Sequence, residues 1–105
     1  MTRTVDLVVT GDDRAALAAA VDTVRRGLRV LVVLRSGDAR VVQRFRRCLC
    51  RAANRDDSQL TVMTNAQVVC VDGVDGVEAV VIRHARTGRL CAVNASAFLS
   101  CDGST

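Results

Sequence analysis

The sequence predicts an α/β fold: a parallel βαβαβ sheet, then an antiparallel β-meander and a final strand. Three observations predict it. Two apolar runs, Asp6–Thr10 and Arg29–Leu34, flank a stretch of helical period, and together the three fill about 30 residues, the length of one βαβ unit. A second helical stretch follows in which apolar residues and arginines are sorted to opposite faces. Beyond residue 60 the helical period vanishes, and short apolar runs alternate with Asp-Gly and Thr-Gly pairs, which are hairpin signals.

Taken in order, Asp6–Thr10 is a short β run broken by Gly11-Asp12-Asp13. Arg14–Arg26 reads as a helix, with Leu17, Val21 and Val24 at i, i+4 and i+7, and five alanines that would let it lie close to a sheet. Gly27 is placed to end it in the left-handed conformation. Arg29–Leu34 is a continuous apolar strand of the kind buried on both faces of a parallel sheet. The second helix is expected from Asp38 to Ala53. Its inner face is Val41, Val42, Phe45, Cys48, Leu49 and Ala52, and its outer face is Arg40, Arg44, Arg47 and Arg51. Strands are then expected at Leu60–Thr64, Gln67–Val71, Val77–Arg83, Leu90–Val93 and Ala97–Cys101. The first three parallel strands should be neighbours, with the meander from Gln67 to Val93 set off from their sheet.

A chain of 105 residues has the size of a single domain, 1–105, able to bury its own core. It carries 15 basic against 11 acidic residues, for a formal charge of +4, and every basic residue is arginine. The lack of lysine excludes a P-loop lysine, a Schiff-base lysine and a lysine general base. Only Phe45 and Phe98 are aromatic, which argues against a stacking platform for single-stranded nucleic acid. His84 is the only histidine and has no carboxylate, Ser or Cys partner evident in the sequence, so it reads as a surface residue rather than a general base. Glu78, the only Glu, is expected to face outward from its strand.

No apolar stretch approaches the roughly 20 residues of a membrane span, and no basic head with an apolar core opens the chain. A cytoplasmic location is the expectation. The five cysteines, Cys48, Cys50, Cys70, Cys91 and Cys101, are then expected to be reduced and mostly buried in strands. Cys48-Leu49-Cys50 is C-x-C, not C-x-x-C, and on a helix its thiols point to nearly opposite faces.

The residues at the joints of this layout carry a resemblance. Thr10-Gly11-Asp12-Asp13-Arg14-Ala15 stands where one family has a Gly-Gly-Gly-Asp-Ser-Ala turn after its first strand. Leu34-Arg35-Ser36-Gly37-Asp38-Ala39-Arg40 stands where it has His-Arg-Arg-x-x-x-Arg after its second. Leu60–Asn65, Ala66–Gly73, Val77–Arg83, the Thr87-Gly88 turn and Phe98-Leu99 follow the same layout. The chain thus resembles, over residues 5–103, the NAD(P)H-binding domain of the FAD-dependent pyridine nucleotide-disulphide oxidoreductases, thioredoxin reductase among them.

The resemblance implies a Rossmann-like domain whose dinucleotide would meet Thr10, Gly11, Asp12, Asp13, Ala15, Arg35 and Arg40. Of the three fingerprint glycine positions, the first two are Thr10 and Asp12, and the third, Ala15, keeps a small residue for helix–strand packing. Asp12 would bring a carboxylate to the helix N-terminus where a pyrophosphate belongs. Two like charges ~4 Å apart in a surface-like dielectric repel by about 4 kcal/mol. Alternatively Asp12 is an N-cap, worth about 1 kcal/mol, in place of the missing phosphate. The end of the second strand, where NAD-specific folds place an acid for the ribose hydroxyl, reads Leu34-Arg35 with no acid, whereas Arg35 and Arg40 match two phosphate-binding arginines of the family, which favours NADPH over NADH.

The related enzymes also carry an FAD domain and a C-x-x-C, neither of which occurs in these 105 residues. The resemblance therefore implies a standalone or fragmentary NADPH-binding module, incapable of full turnover alone, with FAD reached only through a partner subunit. A second possibility is a degenerate domain that binds no nucleotide and serves structure, homodimerisation or regulation. A third is nucleic-acid binding through the arginine face of the second helix, extended by Arg46 and Arg55; solvated arginine faces are common and nothing here reads bases. If the compartment is reducing, all five thiols should titrate with Ellman's reagent in protein purified without oxidant. A stoichiometric disulfide or bound zinc would contradict this.

Overall fold

The computed structural model describes residues 3–11, 14–35, 37–53, 60–74 and 76–101. The elements are β1 (Arg3–Thr10), α1 (Arg14–Arg25), β2 (Val30–Val33), α2 (Ala39–Ala53), β3 (Leu60–Met63), β4 (Ala66–Asp72), β5 (Ala79–His84) and β6 (Leu90–Ser100). They form one six-stranded sheet in the order β3-β2-β1-β6-β5-β4. β1 pairs in parallel with β2 on one side and with β6 on the other, and β2 pairs in parallel with β3. β5 is antiparallel to both β6 and β4.

The predicted parallel trio is therefore present as neighbours, but two expectations about the second half need correction. Leu90–Val93 and Ala97–Cys101 are not separate strands; they belong to a single 11-residue β6. The intervening Asn94, Ala95 and Ser96 keep the strand alternation, with Val93 and Ala95 buried and Asn94 and Ser96 exposed. The meander is also not a separate sheet, because β6 pairs with β5 on one edge and with β1 on the other and so joins both halves.

Alternation along β2 builds the layers. Val30, Val32 and Leu34 point into one cluster with Val9, Ala16, Ala20, Val24 and Phe45, which places both helices on the same face. Leu31 and Val33 point the other way, against Val8, Ala66, Val80, Ile82 and Val93, so the antiparallel strands curl over the opposite face. The result is three layers: helices, parallel strands, antiparallel strands. α1 fits closely because Ala16 and Ala20 are fully buried, and it ends in a Schellman motif. There the Gly27 N–H (φ 80) donates to the Val24 carbonyl and the Leu28 N–H to the Thr23 carbonyl. α2 begins at an Asp38 cap, whose carboxylate accepts the Arg40 N–H at 2.9 Å and whose carbonyl accepts the Val42 N–H. Among the described residues no helix is long and apolar enough to cross a membrane.

Among the described residues Phe45 is the largest fully buried side chain and anchors α2 in the core, with Val41 and Val42 packed partly buried against the same cluster. Phe45→Ala should cost about 3–5 kcal/mol, read as a lowered urea midpoint, while Phe45→Leu should cost clearly less.

Candidate functional site

In open α/β sheets ligands bind outside the carboxyl ends of the parallel strands. Here that edge gathers Thr10 and Gly11 from β1, Leu34 and Arg35 from β2, Thr64 and Asn65 from β3, and Cys101 from β6. All four strands run the same way. The edge is closed by backbone bonds. The Leu34 N–H donates to the Met63 carbonyl at 2.8 Å, the Ala66 N–H to the Leu34 carbonyl at 3.1 Å, and the Cys101 N–H to the Thr10 carbonyl at 2.7 Å.

Thr10 is the last residue of β1 and is buried, paired across the ladder with Val33 and Ser100. Gly11 has φ 139, a conformation disfavoured for residues with a side chain. A Cβ there would lie 2.6 Å from the Cys101 carbonyl oxygen, so glycine is required by the approach of β6. Asp12 and Asp13 lie outside the described residues. Ala15 is exposed, and the helix–strand packing assigned to it is made by Ala16, one position on and fully buried. The reason lies in the alanine run of α1, whose composition does not say which residue faces the sheet.

At the next corner, Arg35 follows the buried β2 and is exposed, and Arg40 is exposed in the first turn of α2. Gly37 between them gives room to Asn65. A Cβ at Gly37 would sit 2.7 Å from the Asn65 amide nitrogen, and Asn65 itself is held in the left-handed conformation (φ 51) that asparagine tolerates. This connection between the β2–α2 corner and the end of β3 had no signal in the sequence beyond a Gly and an Asn in turn positions.

The arginine face of α2 is present as predicted, with Arg40, Arg44, Arg46, Arg47 and Arg51 all exposed on a helix that carries no acid. Glu78 is exposed, whereas His84 is half-buried at the end of β5. The cysteines are less buried than expected: Cys70 is exposed, and Cys48, Cys91 and Cys101 are intermediate, all four as free thiols. Cys48 lies on a helix and Cys101 just beyond a strand end, which explains their partial exposure. The Asp72 carboxylate accepts the Cys70 S–H at 3.2 Å, and that hydrogen bond, with the nearby charge and slight desolvation, pushes the thiol above its ordinary pKa. Among the described residues no group of three His, Cys, Asp or Glu side chains could hold a metal ion.

No family model and no curated protein matches the sequence. Solved structures do match its fold. The thioredoxin reductase of Streptococcus pyogenes superposes with a TM-score of 0.69 at 21% identity, over 97% of this chain and 32% of that one. The thioredoxin reductase of Giardia duodenalis gives 0.70 at 18%, over 97% and 32%. A myxobacterial FAD-dependent halogenase, the chondrochloren halogenase, gives 0.72 at 14%, over 96% and 38%. The chain thus has the Rossmann-like fold of FAD/NAD(P)-binding domains, and it spans about a third of the length of these proteins.

The close approach of β6 to Gly11 is directly testable. Gly11→Ala should destabilise the domain by more than about 1 kcal/mol in urea unfolding, because both the conformation and the space are denied to a methyl group.

Proposed function

We propose that the chain is the NADPH-binding module of a thioredoxin reductase-like flavin oxidoreductase, standalone or fragmentary, and dependent on an FAD-bearing partner subunit for turnover. The observation that carries it is the β2–α2 corner. Arg35 and Arg40 are exposed there at the carboxyl edge, and the position directly at the end of β2, where an acid would hold a ribose 2′-hydroxyl, reads Leu34-Arg35, the Asp38 carboxylate further on being engaged in capping α2. Two guanidinium forks suit the 2′-phosphate that distinguishes NADPH from NADH. NADPH, when bound, supplies a hydride; this chain's residues would bind and orient the adenosine end. A reducing, cytoplasmic setting is part of this proposal.

The pyrophosphate end fits less well, because Asp12 puts a carboxylate before α1. A specific observation favours the second function, a degenerate domain with a structural, homodimeric or regulatory role. Gly11 is fully explained by the approach of Cys101, so this glycine does not require a nucleotide.

One double variant separates the two. Thr10→Gly with Asp12→Gly removes the charge and the β-branched residue together. It should tighten NADPH binding at least about tenfold, or 1.4 kcal/mol, measured by titration calorimetry. The cost should be roughly 1 kcal/mol of stability. Arg35→Ala in that background should then weaken NADPH much more than NADH. A folded double variant that binds NADPH no better than the parent leaves the degenerate domain standing.

A further inference from the structure

A second basic feature lies at the β5–β6 hairpin, joined to the β2–α2 corner through Asn65. There a cavity of about 340 Å³ is lined by Thr64, Asn65, His84, Arg86, Thr87 and Arg89. Its volume falls at the lower end of small-molecule sites, roughly 300–1,000 Å³. A neighbouring cavity of about 370 Å³ shares His84 and adds Arg83 and Gln67. Among the described residues no Asp or Glu lines either cavity.

The walls are held by the backbone. The His84 N–H donates to the Arg89 carbonyl at 2.9 Å and the Gly88 N–H to the His84 carbonyl at 2.8 Å, which fixes the hairpin. The Ala85 N–H donates to the Asn65 carbonyl at 2.8 Å, which ties the hairpin to the end of β3. The Thr87 hydroxyl oxygen accepts the Arg89 N–H at 3.2 Å, so its own proton is left to donate. Neither the Arg86 nor the Arg89 guanidinium is paired with a carboxylate among the described residues. The residues around the cavity carry two guanidinium forks, an imidazole, an amide and two hydroxyls at its rim, although most of the wall itself is apolar, and among the described residues none carries a negative charge.

We propose that this hairpin cavity binds a small phosphorylated anion of diphosphate size, at a site separate from Arg35 and Arg40. Two forks three residues apart match two phosphoryl groups, each able to accept a bidentate pair. Among the described residues a cation would meet only like charge. The site does not depend on the NADPH proposal: it borders the same strand edge through Thr64 and Asn65, but its charged residues, Arg86 and Arg89, have no part in that proposal.

Calorimetric titration of the full chain with inorganic pyrophosphate and with inorganic phosphate, at fixed ionic strength, tests this. Saturable pyrophosphate binding, about tenfold tighter than phosphate, is expected because only the diphosphate engages both forks. Arg86→Ala with Arg89→Ala should weaken it at least about tenfold, Arg86→Lys with Arg89→Lys should fall between, and Arg35→Ala with Arg40→Ala should leave it within about twofold. An unchanged urea midpoint verifies that the hairpin variants fold. Absence of saturable binding, or binding that survives loss of Arg86 and Arg89, overturns the proposal.

Discussion

The rest of the structure depends on the two-sided burial of β2. Val30, Leu31, Val32, Val33 and Leu34 are each essentially inaccessible to water. At about 1.5–3 kcal/mol for each large apolar side chain, leaving either face open would forfeit several kilocalories. Three of these side chains require a helical layer and two require a cover on the far side. The helices supply the first and the curled antiparallel strands the second. Once both faces are sealed, the ends of the parallel strands are the natural place left for a ligand, and Arg35 stands directly at one of them.

Sequence patterning reaches this far because the period of a buried strand is unambiguous when its residues are large. VLVVL can hardly be anything else, and the Phe45 side of α2 stands out against its arginines. Patterning fails where residues are small. Asn94, Ala95 and Ser96 look like a connection, yet they form the middle of β6, and the alternation of burial through them is carried by a methyl group. In α1 the alanines leave the inward register one position uncertain, which is how Ala15 takes the place of Ala16. The approach of Cys101 to Gly11 joins residues 90 positions apart, and no local signal encodes it.

Charge is distributed with a similar economy. Among the described residues there are two ion pairs: Asp22 with Arg26, exposed at the end of α1, and Asp6, half-buried in the middle of β1, with Arg29 just before β2. Pairs of that kind contribute little to stability. The arginines at the β5–β6 hairpin are exposed and unpaired with a carboxylate among the described residues, and substitution there should change what the surface attracts rather than whether the domain folds.

β6 has a further consequence for how the chain reaches its native state. It is the last strand among the described residues, yet it occupies an interior place in the sheet, bonded to β1 from Val93 to Ser100 and to β5 over its first half. During synthesis one edge of β1 must wait for more than 80 residues before its partner emerges from the ribosome. The β1–β2–β3 half can assemble early, but it does so with an unpaired strand edge and one apolar face uncovered. Folding should therefore be slow for a domain of this size, with a late, long-range closure step, and the interval before β6 arrives is when the nascent chain is most exposed to aggregation.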